Sequence, residues 1–328
     1  MPEISIIIPA YNAEETILKT IKSVLEQTFQ DFEIIVINDG SKDKTVEITE
    51  SIQDKRINIF SYENRGVSTA RNRGIARSTG EFIAFLDADD LWTKDKLEMQ
   101  LNALKKSPEA GLAYSWTCFM DVDEGGEAVS FLPSPEYAFT GDVYQQLLIG
   151  DFIHSASNTL IRSQAIQAVG EFEPILKSCE DWEYWLRIAA RFDFVVVPNY
   201  QILYRRTPGG LSSNVEVMKE ASLISIERAY NVAPKELQYL KKYTLTNFHR
   251  YCASLYLQHR NDNLGIAEAR QHLLSAISLH PKTLLDSLTQ KLLIKLLFKQ
   301  LFPQKLSSSL IELMRKKIIT INDPRLQA

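Results

Sequence analysis

Apolar and polar positions along the first third of the chain follow two periods, one typical of buried strands and one typical of helices. Continuous apolar runs predict strands buried on both faces of a sheet, at Ile4–Ile8, Ile34–Ile37 and Phe82–Leu86. Apolar residues at helical spacing predict intervening helices, over Glu14–Gln27, Lys44–Ile52 and Ser68–Ser78. This alternation predicts an α/β fold with a mixed, mostly parallel sheet.

A short polar segment follows each predicted strand. The three segments are Ala10–Asn12, Asp39–Ser41 and Asp87–Asp89. Because ligands of open parallel sheets bind beyond the carboxyl ends of the strands, we expect the three segments to converge on one crevice. The sequence contains neither a GxGxxG fingerprint nor a phosphate-binding P-loop, so we expect a metal ion to hold phosphates there.

Two carboxylates one residue apart supply the donors for such an ion. Asp87 and Asp89 are hard oxygen ligands of the kind that Mg²⁺ and Mn²⁺ prefer when they bridge to substrate phosphates. The alternative is helix capping, with Asp90 or Thr93 at the start of a helix near Lys94. The position directly after a very hydrophobic strand favours Asp89 as a ligand.

Composition narrows the class of protein. The 328 residues are 45% apolar and 24% charged, which excludes disordered, collagen-like and disulfide-scaffold proteins and suggests about two domains. A net charge of -4 argues against nucleic acid as a partner. Three widely separated cysteines, no basic N-terminal leader and no membrane-spanning run predict a cytoplasmic protein.

Five blocks of sequence carry a resemblance to a known family. They are Ile6–Asn12, Asn38–Ser41, Ala70–Gly74, Gly80–Asp90 and Glu180–Trp182. Their order and spacing over about residues 1–210 resemble the family 2 inverting glycosyltransferases of bacterial type. The resemblance implies the GT-A fold, in which such enzymes transfer sugars from nucleoside diphosphates.

The resemblance also implies a nucleoside pocket lined by Pro9, Ala10 and Tyr11, with Asp39 beside the base. The Tyr11 ring would stack on the base, and the Asp39 carboxylate would accept a hydrogen bond from a base N–H. The structural alternatives are a Tyr11 ring packed beneath a loop and an Asx-turn formed by Asp39 before Gly40.

Further donor contacts follow from the same motifs. Asn12 and Ala88 would line the nucleotide-sugar site. Arg71 would approach the nucleotide, since a guanidinium matches diphosphate geometry, although a surface salt bridge is the alternative. Asp87 would contact the ribose hydroxyls and share the metal with Asp89.

The acceptor side of the resemblance centres on Glu180 and Asp181, which open a predicted helix. Direct displacement needs a carboxylate to take the acceptor's proton, and we assign Asp181 as that base. Glu180 could hold the role instead or orient the acceptor, and both acids could simply favour the helix dipole. Asn158 and Trp182 are candidate acceptor contacts. Thr207 stands near the place where many relatives carry a histidine, which argues against a histidine metal ligand.

Helical patterns replace strand patterns after about residue 214. We therefore predict a catalytic domain over residues 1–214 and a helical domain over 215–328. Residues 291–317 carry seven basic residues against one acid, Glu312. A lysine stripe beside a broad apolar arc suits either peripheral contact with an anionic membrane or a helix packed on its neighbours with its lysines in solvent.

These observations predict a metal-dependent inverting glycosyltransferase. It would move a sugar from a nucleoside diphosphate, with UDP favoured, to a saccharide or lipid-linked saccharide in cell-surface polysaccharide or glycan synthesis. One rival is a non-catalytic nucleotide-sugar sensor or scaffold, which would need no base at Asp181. Another is a sugar nucleotidyltransferase, which usually has a glycine-rich basic loop where this chain has Ala10–Glu14.

Overall fold

The computed structural model describes residues 1–123, 128–207 and 214–315. Within these ranges the chain divides into two compact units. The first consists of residues 1–144 and 152–207, and the second consists of residues 145–151 with the described residues from 214 to 315. No helix in the described ranges is long and apolar enough to cross a membrane.

The strands of the first unit form a single mixed sheet in the order β3-β2-β1-β4-β8-β6-β9-β5, with β7 paired to β6. Their bounds are β1 Ile4–Ala10, β2 Phe32–Asn38, β3 Ile57–Ser61, β4 Phe82–Phe85, β5 Leu91–Trp92, β6 Ala110–Val122, β7 Ala128–Pro133, β8 Leu160–Arg162 and β9 Asp193–Arg206.

The parallel half of the sheet is the part that the hydrophobic runs predict. Strands β3, β2, β1 and β4 are parallel neighbours, whereas β8 is antiparallel to both β4 and β6. All seven residues of β1 are buried, as expected for a strand covered on both faces. The predicted α/β fold with a mixed sheet is therefore confirmed.

Helices flank this sheet. Their bounds are α1 Ile17–Leu25, α2 Thr45–Glu50, α3 Val67–Ile75, α4 Lys96–Lys106, α6 Ser163–Val169 and α7 Glu180–Ala189. Helix α5, Tyr144–Ile149, falls mostly in the second unit. Apolar residues of α1 and α4 share one buried cluster with β1 and β2, so these helices cover the same face of the sheet.

Gly74 lets α3 lie directly against β1. A Cβ atom at this position would overlap the side chain of Ile7, so a larger residue would push the helix away from the strand. The close packing also fixes the preceding turn of α3, which carries Arg71.

Helix α1 begins later than its apolar pattern predicts, at Ile17 instead of Glu14. The backbone N–H groups of Ala13 and Glu14 donate to the side chains of Thr45 and Asp43. These hydrogen bonds hold the start of the segment outside the helix, and an apolar pattern carries no information about them.

The second unit is helical in its described part, which confirms the predicted helical C-terminal region. Its helices beyond α5 are α8 Val215–Val232, α9 Lys241–His259, α10 Asn263–Leu279, α11 Ser287–Leu301 and α12 Gln304–Arg315. Side chains of Asn214, Asp262 and Asp286 cap α8, α10 and α11 respectively. Thr244 of α9 donates to the carbonyl of Leu148, which ties α5 into this unit.

Two histidines meet inside the second unit. The Nδ1 atoms of His249 on α9 and His272 on α10 lie 2.8 Å apart. Burial, the neighbouring His249 and the cation of Lys219 together lower the pKa of His272 to about 4, and Glu216 acts in the opposite direction. Burial also lowers the pKa of His249. Both rings are therefore neutral in the folded protein near pH 7.

We expect this pair to make the second unit sensitive to acid. Because the pKa of His272 falls from 6.5 to about 4 on folding, the unfolded chain takes up the proton first as the pH falls. Stability contributed by neutral His272 should be complete above the unfolded value and decline towards the folded one. Urea unfolding across this pH range should show the loss, and His272→Phe should flatten it. The exposed control His259→Gln should keep the wild-type slope, and an unchanged slope in His272→Phe would refute the assignment.

Candidate active site

Three strand-end segments lie side by side at one edge of the sheet. Ala10 pairs with Asn38, so β1 and β2 end at the same level. Strand β4 ends opposite Ile7, three residues earlier, so the segment that begins with Leu86 follows beside the end of β1. The backbone N–H of Asn12 then donates to Ser41 Oγ at 3.0 Å, which joins the first two segments directly. The parallel register thus brings the polar segments together at one edge of the sheet, where ligands of such sheets bind.

Buried residues at the end of β1 are followed directly by exposed residues. Pro9 and Ala10 are buried strand residues, while Tyr11 keeps 52% of its surface exposed. Asn12 adopts a left-handed backbone with φ of 48°, and its side chain accepts a hydrogen bond from Lys42 N. A ring packed beneath a loop is therefore the wrong interpretation of Tyr11, whose exposure leaves it available for stacking.

Asp39 is an anchor for the loop that precedes α3. Its carboxylate accepts hydrogen bonds from the backbone of Arg65 and Gly66 and from Arg73 Nη1, the last at 2.9 Å. The side chain of Asn38, not that of Asp39, accepts from Ser41 N in the turn, so the Asx-turn alternative is wrong. With 3% exposure and protein donors on both oxygens, Asp39 has little capacity left for a base N–H.

Arg71 lies between two acids from distant parts of the chain. Its Nη2 lies 2.6 Å from Asp87 Oδ1, and its Nη1 lies 2.5 Å from Glu180 Oε1. Its side chain is 2% exposed and its guanidinium stands 5.5 Å from the centre of the Phe172 ring. The alternative of a surface salt bridge is therefore wrong.

The acids after β4 crowd one another. Burial and the neighbouring Asp87 raise the pKa of Asp89 to about 6. Burial, Asp89 and Asp87 also raise the pKa of Asp90 well above its usual range. Asp89 and Asp90 are therefore harder to ionise than an exposed aspartate, and a bound cation would relieve the repulsion between these acids.

Asp90 is a structural acid and not a helix cap. It accepts hydrogen bonds from Ser157 Oγ at 2.6 Å and from the backbone N–H of Arg205 at 2.9 Å. The short strand β5, Leu91–Trp92, follows Asp90, and helix α4 begins only at Lys96. Asp95 occupies the N-cap position of this helix. The capping alternative for Asp90 is therefore wrong. Three acids in four residues were a visible signal, but its meaning depended on residues over 60 positions away.

Asp87, Ala88 and Asp89 differ in what they present to a ligand. Asp87 is 28% exposed at its side chain, and Asp89 is half-buried. Ala88 is buried, and its carbonyl accepts from Thr20 Oγ1. The described residues contain no group of three acidic, histidine or cysteine side chains placed to hold a metal. Two carboxylates nevertheless suit Mg²⁺ or Mn²⁺, which complete their shells with water and substrate phosphate.

The acidic pair opens α7 from a constrained backbone. Cys179 before it has a left-handed conformation with φ of 55°. Glu180 is buried in its ion pair with Arg71, whereas Asp181 is half-buried and accepts from Trp182 N at 2.8 Å. Trp182 itself is mostly buried. The structure thus gives the two acids different surroundings, which their spacing could not reveal.

Asn158 occupies a structural position. It lies in a 3₁₀ turn before β8 and is completely buried. Its side-chain oxygen accepts from Ser115, and its amide group donates to Ser115 O, Thr117 Oγ1 and Ile153 O. No surface of Asn158 is left for an acceptor, which argues against the predicted contact.

Comparison with known sequences places the chain in a family. The model described as "Glycosyltransferase like family 2" matches residues 5–255. An uncharacterized glycosyltransferase of Rickettsia bellii is 36% identical over 190 residues, which are 58% of this chain and 26% of that protein. The Escherichia coli UDP-Glc:alpha-D-GlcNAc-diphosphoundecaprenol beta-1,3-glucosyltransferase WfgD is 44% identical over 105 residues, which are 32% of this chain and 42% of WfgD. The match therefore spans less than half the length of either relative.

Solved structures show the same fold at low sequence identity. Staphylococcus aureus TarS 1-349 in complex with UDP-GlcNAc has a TM-score of 0.60 at 19% identity, covering 96% of this chain and 92% of that one. The mannosyltransferase PcManGT of Pyrobaculum calidifontis, in complex with GDP-Man and Mn²⁺, has a TM-score of 0.58 at 17% identity, covering 90% and 87%.

The sheet and these structural likenesses define the fold as the GT-A type of glycosyltransferases. The chain belongs to the glycosyltransferase-like family 2, as the five sequence blocks predict.

Proposed function

We propose that this chain is a metal-dependent inverting glycosyltransferase of the hexosyl-transferring type. It moves a sugar from a nucleoside diphosphate to a saccharide or lipid-linked saccharide in cell-surface polysaccharide or glycan synthesis. The observation that carries the proposal is the joining of the Asp87–Asp89 segment to the Glu180–Asp181 pair through Arg71. A donor-binding acid and a candidate base are thereby held in one site.

The donor side favours a UDP-sugar. The exposed Tyr11 ring offers a stacking surface for a base at the strand-end crevice. The names of WfgD and of the TarS complex specify UDP-linked sugars, whereas that of the PcManGT complex specifies GDP-Man. The lipid diphosphate in the name of WfgD supports a lipid-linked acceptor for this chain as well.

Asp89 and Asp87 are the residues that would hold a divalent cation, Mn²⁺ or Mg²⁺. Asp87, Asp89 and Asp90 repel one another when ionised, and a bound cation would relieve that repulsion. The complex of PcManGT contains Mn²⁺. A cation bound there would offset the negative charge that develops on the leaving diphosphate.

Asp181 acts as the general base in this proposal. It takes the proton from the acceptor hydroxyl while that oxygen bonds to the anomeric carbon, and the bond from this carbon to the diphosphate breaks on the opposite side. Attack opposite the leaving group inverts the anomeric configuration. Glu180 is committed to Arg71, which leaves Asp181 as the more available acid. We propose residues 1–214 as the catalytic domain and 215–328 as a helical domain.

The rival function is a nucleotide-sugar sensor or scaffold, which would bind the nucleotide without transferring a sugar. Asp181→Asn should leave UDP affinity unchanged and lower sugar transfer by roughly 10²–10⁴-fold, since an amide cannot take the proton. Calorimetry with UDP and a transfer assay with a saccharide acceptor measure the two effects. The control Asp31→Asn, at the opposite edge of the sheet, should transfer normally. Normal transfer by Asp181→Asn would remove the base assignment, and absence of transfer by the wild type with any tested acceptor would favour the sensor.

Metal dependence has its own test. Mn²⁺ should tighten binding of UDP to the wild-type chain by about tenfold or more, in the usual range of coupling between two ligands. In Asp89→Ala this effect of Mn²⁺ should disappear, because the chain then lacks one of the two proposed ligands. Calorimetric titration of UDP with and without Mn²⁺ measures the coupling. Asp31→Ala serves as the control, and full coupling in Asp89→Ala would refute the assignment.

We also propose peripheral membrane contact through α11, which would place the enzyme on the cytoplasmic face of the cell membrane. Ile294, Leu297 and Leu301 on this helix are exposed, Leu301 by 71%, and Lys291 is exposed near them. Lys299 instead donates to the Arg260 carbonyl, so the predicted lysine stripe is partly engaged within the protein. Residues 316 and 317, and the side chains of residues 305 and 315, lie outside the described part of the structure.

Co-sedimentation with anionic phospholipid vesicles tests this contact. Replacing Leu297 and Leu301 together by Glu should abolish sedimentation, since charge would enter the apolar surface. Val232→Glu, at an exposed position on α8, should sediment like the wild type. Equal sedimentation of all three proteins, or none by the wild type, would contradict membrane contact through α11.

A further inference from the structure

Arg71 is the residue through which the two acidic parts of the site meet. Asp87 follows β4 and Glu180 begins α7, and they are 93 positions apart in sequence. Each accepts from a different terminal nitrogen of the same guanidinium, at 2.6 Å and 2.5 Å. A planar guanidinium can hold two carboxylates in fixed directions, which the flexible ammonium of a lysine cannot.

The surroundings of Arg71 suit a fixed structural cation. Burial disfavours its charge, but Asp87, Glu180 and Asp181 together raise its pKa, so it remains protonated. The neighbouring Phe172 ring and the close packing of Gly74 on Ile7 restrict its movement. With 2% exposure and both terminal nitrogens engaged, Arg71 has little surface to offer a diphosphate.

We propose that Arg71 is a positioning residue that holds Glu180, and with it the first turn of α7, so that Asp181 faces the acceptor. The proposal rests on the proposed function and replaces the nucleotide contact that the family resemblance implies for Arg71. Glu180 is then a tether for the helix and not the base. Because Asp87 accepts from the same guanidinium, the position of the base is tied to the donor-binding segment.

Steady-state kinetics separates positioning from nucleotide binding. Arg71→Lys keeps the positive charge but loses the planar guanidinium that holds two carboxylates. We therefore expect kcat to fall by about tenfold or more while KM for the donor stays within about threefold. Arg71→Met should also move the acid limb of the kcat–pH profile to higher pH, since Asp181 loses a nearby positive charge. The control Arg77→Met, at an exposed position just beyond α3, should change neither value. A raised donor KM with unchanged kcat would make Arg71 a nucleotide ligand and overturn the proposal.

A double-mutant cycle measured by thermal unfolding tests the ion pair between Arg71 and Glu180 without any transfer assay. Arg71→Met should lower Tm by roughly 6 °C or more, because it leaves Glu180 buried without its partner. Adding Glu180→Gln should recover part of this loss, since the buried charge is then removed. Strictly additive losses of Tm would contradict a direct interaction between Arg71 and Glu180. If the wild type transfers no sugar but the cycle shows recovery, the proposed function fails while the Arg71–Glu180 tether stands. Recovery in the cycle together with unchanged kcat in Arg71→Lys would refute the role in positioning.

Discussion

The ion bridge from Asp87 through Arg71 to Glu180 is the interaction on which the arrangement of the site depends. It joins the end of a parallel strand to the start of a helix that follows nearly a hundred residues later. One buried cation between carboxylates is stable because the acids offset its desolvation. Removing Arg71 would leave Glu180 buried and charged without its partner, so the strand-end segment and the start of α7 are held together by one side chain.

Burial of acids at the end of β4 has a different consequence. Asp87 has Arg71 as a counter-ion and Asp90 has hydrogen bonds from Ser157 and Arg205, while Asp89 carries a raised pKa beside them. The segment therefore retains negative charge that the protein balances only in part. In the proposed enzyme that imbalance is what attracts a divalent cation and, with it, the diphosphate of the donor.

Several residues predicted to touch ligands form contacts that hold the site in shape. Asp39 fixes the loop before α3, Asn158 fixes the turn before β8, and Arg71 fixes the start of α7. Each is buried, and each forms hydrogen bonds or ion pairs with residues remote in sequence. A motif marks such positions equally well whether they contact the ligand or support the residues that do. Exposure distinguishes the two kinds of position: Tyr11 and Asn12 are exposed, while Asp87, Asp89 and Asp181 are half-buried.

The sequence by itself determined the parallel half of the sheet, its strand-end segments and the helical C-terminal region. Apolar runs and helical periods are local signals. Any sheet covered by helices on both faces buries such runs, so they predict strands and helices without further information. Only the tertiary structure decided which acid pairs with Arg71, that β8 enters antiparallel beside β4, and that Asp90 supports Ser157 and does not cap α4. Those outcomes depend on distances between residues 60 to 110 positions apart. Residue type and local spacing do not specify such distances, because they arise when the whole chain packs.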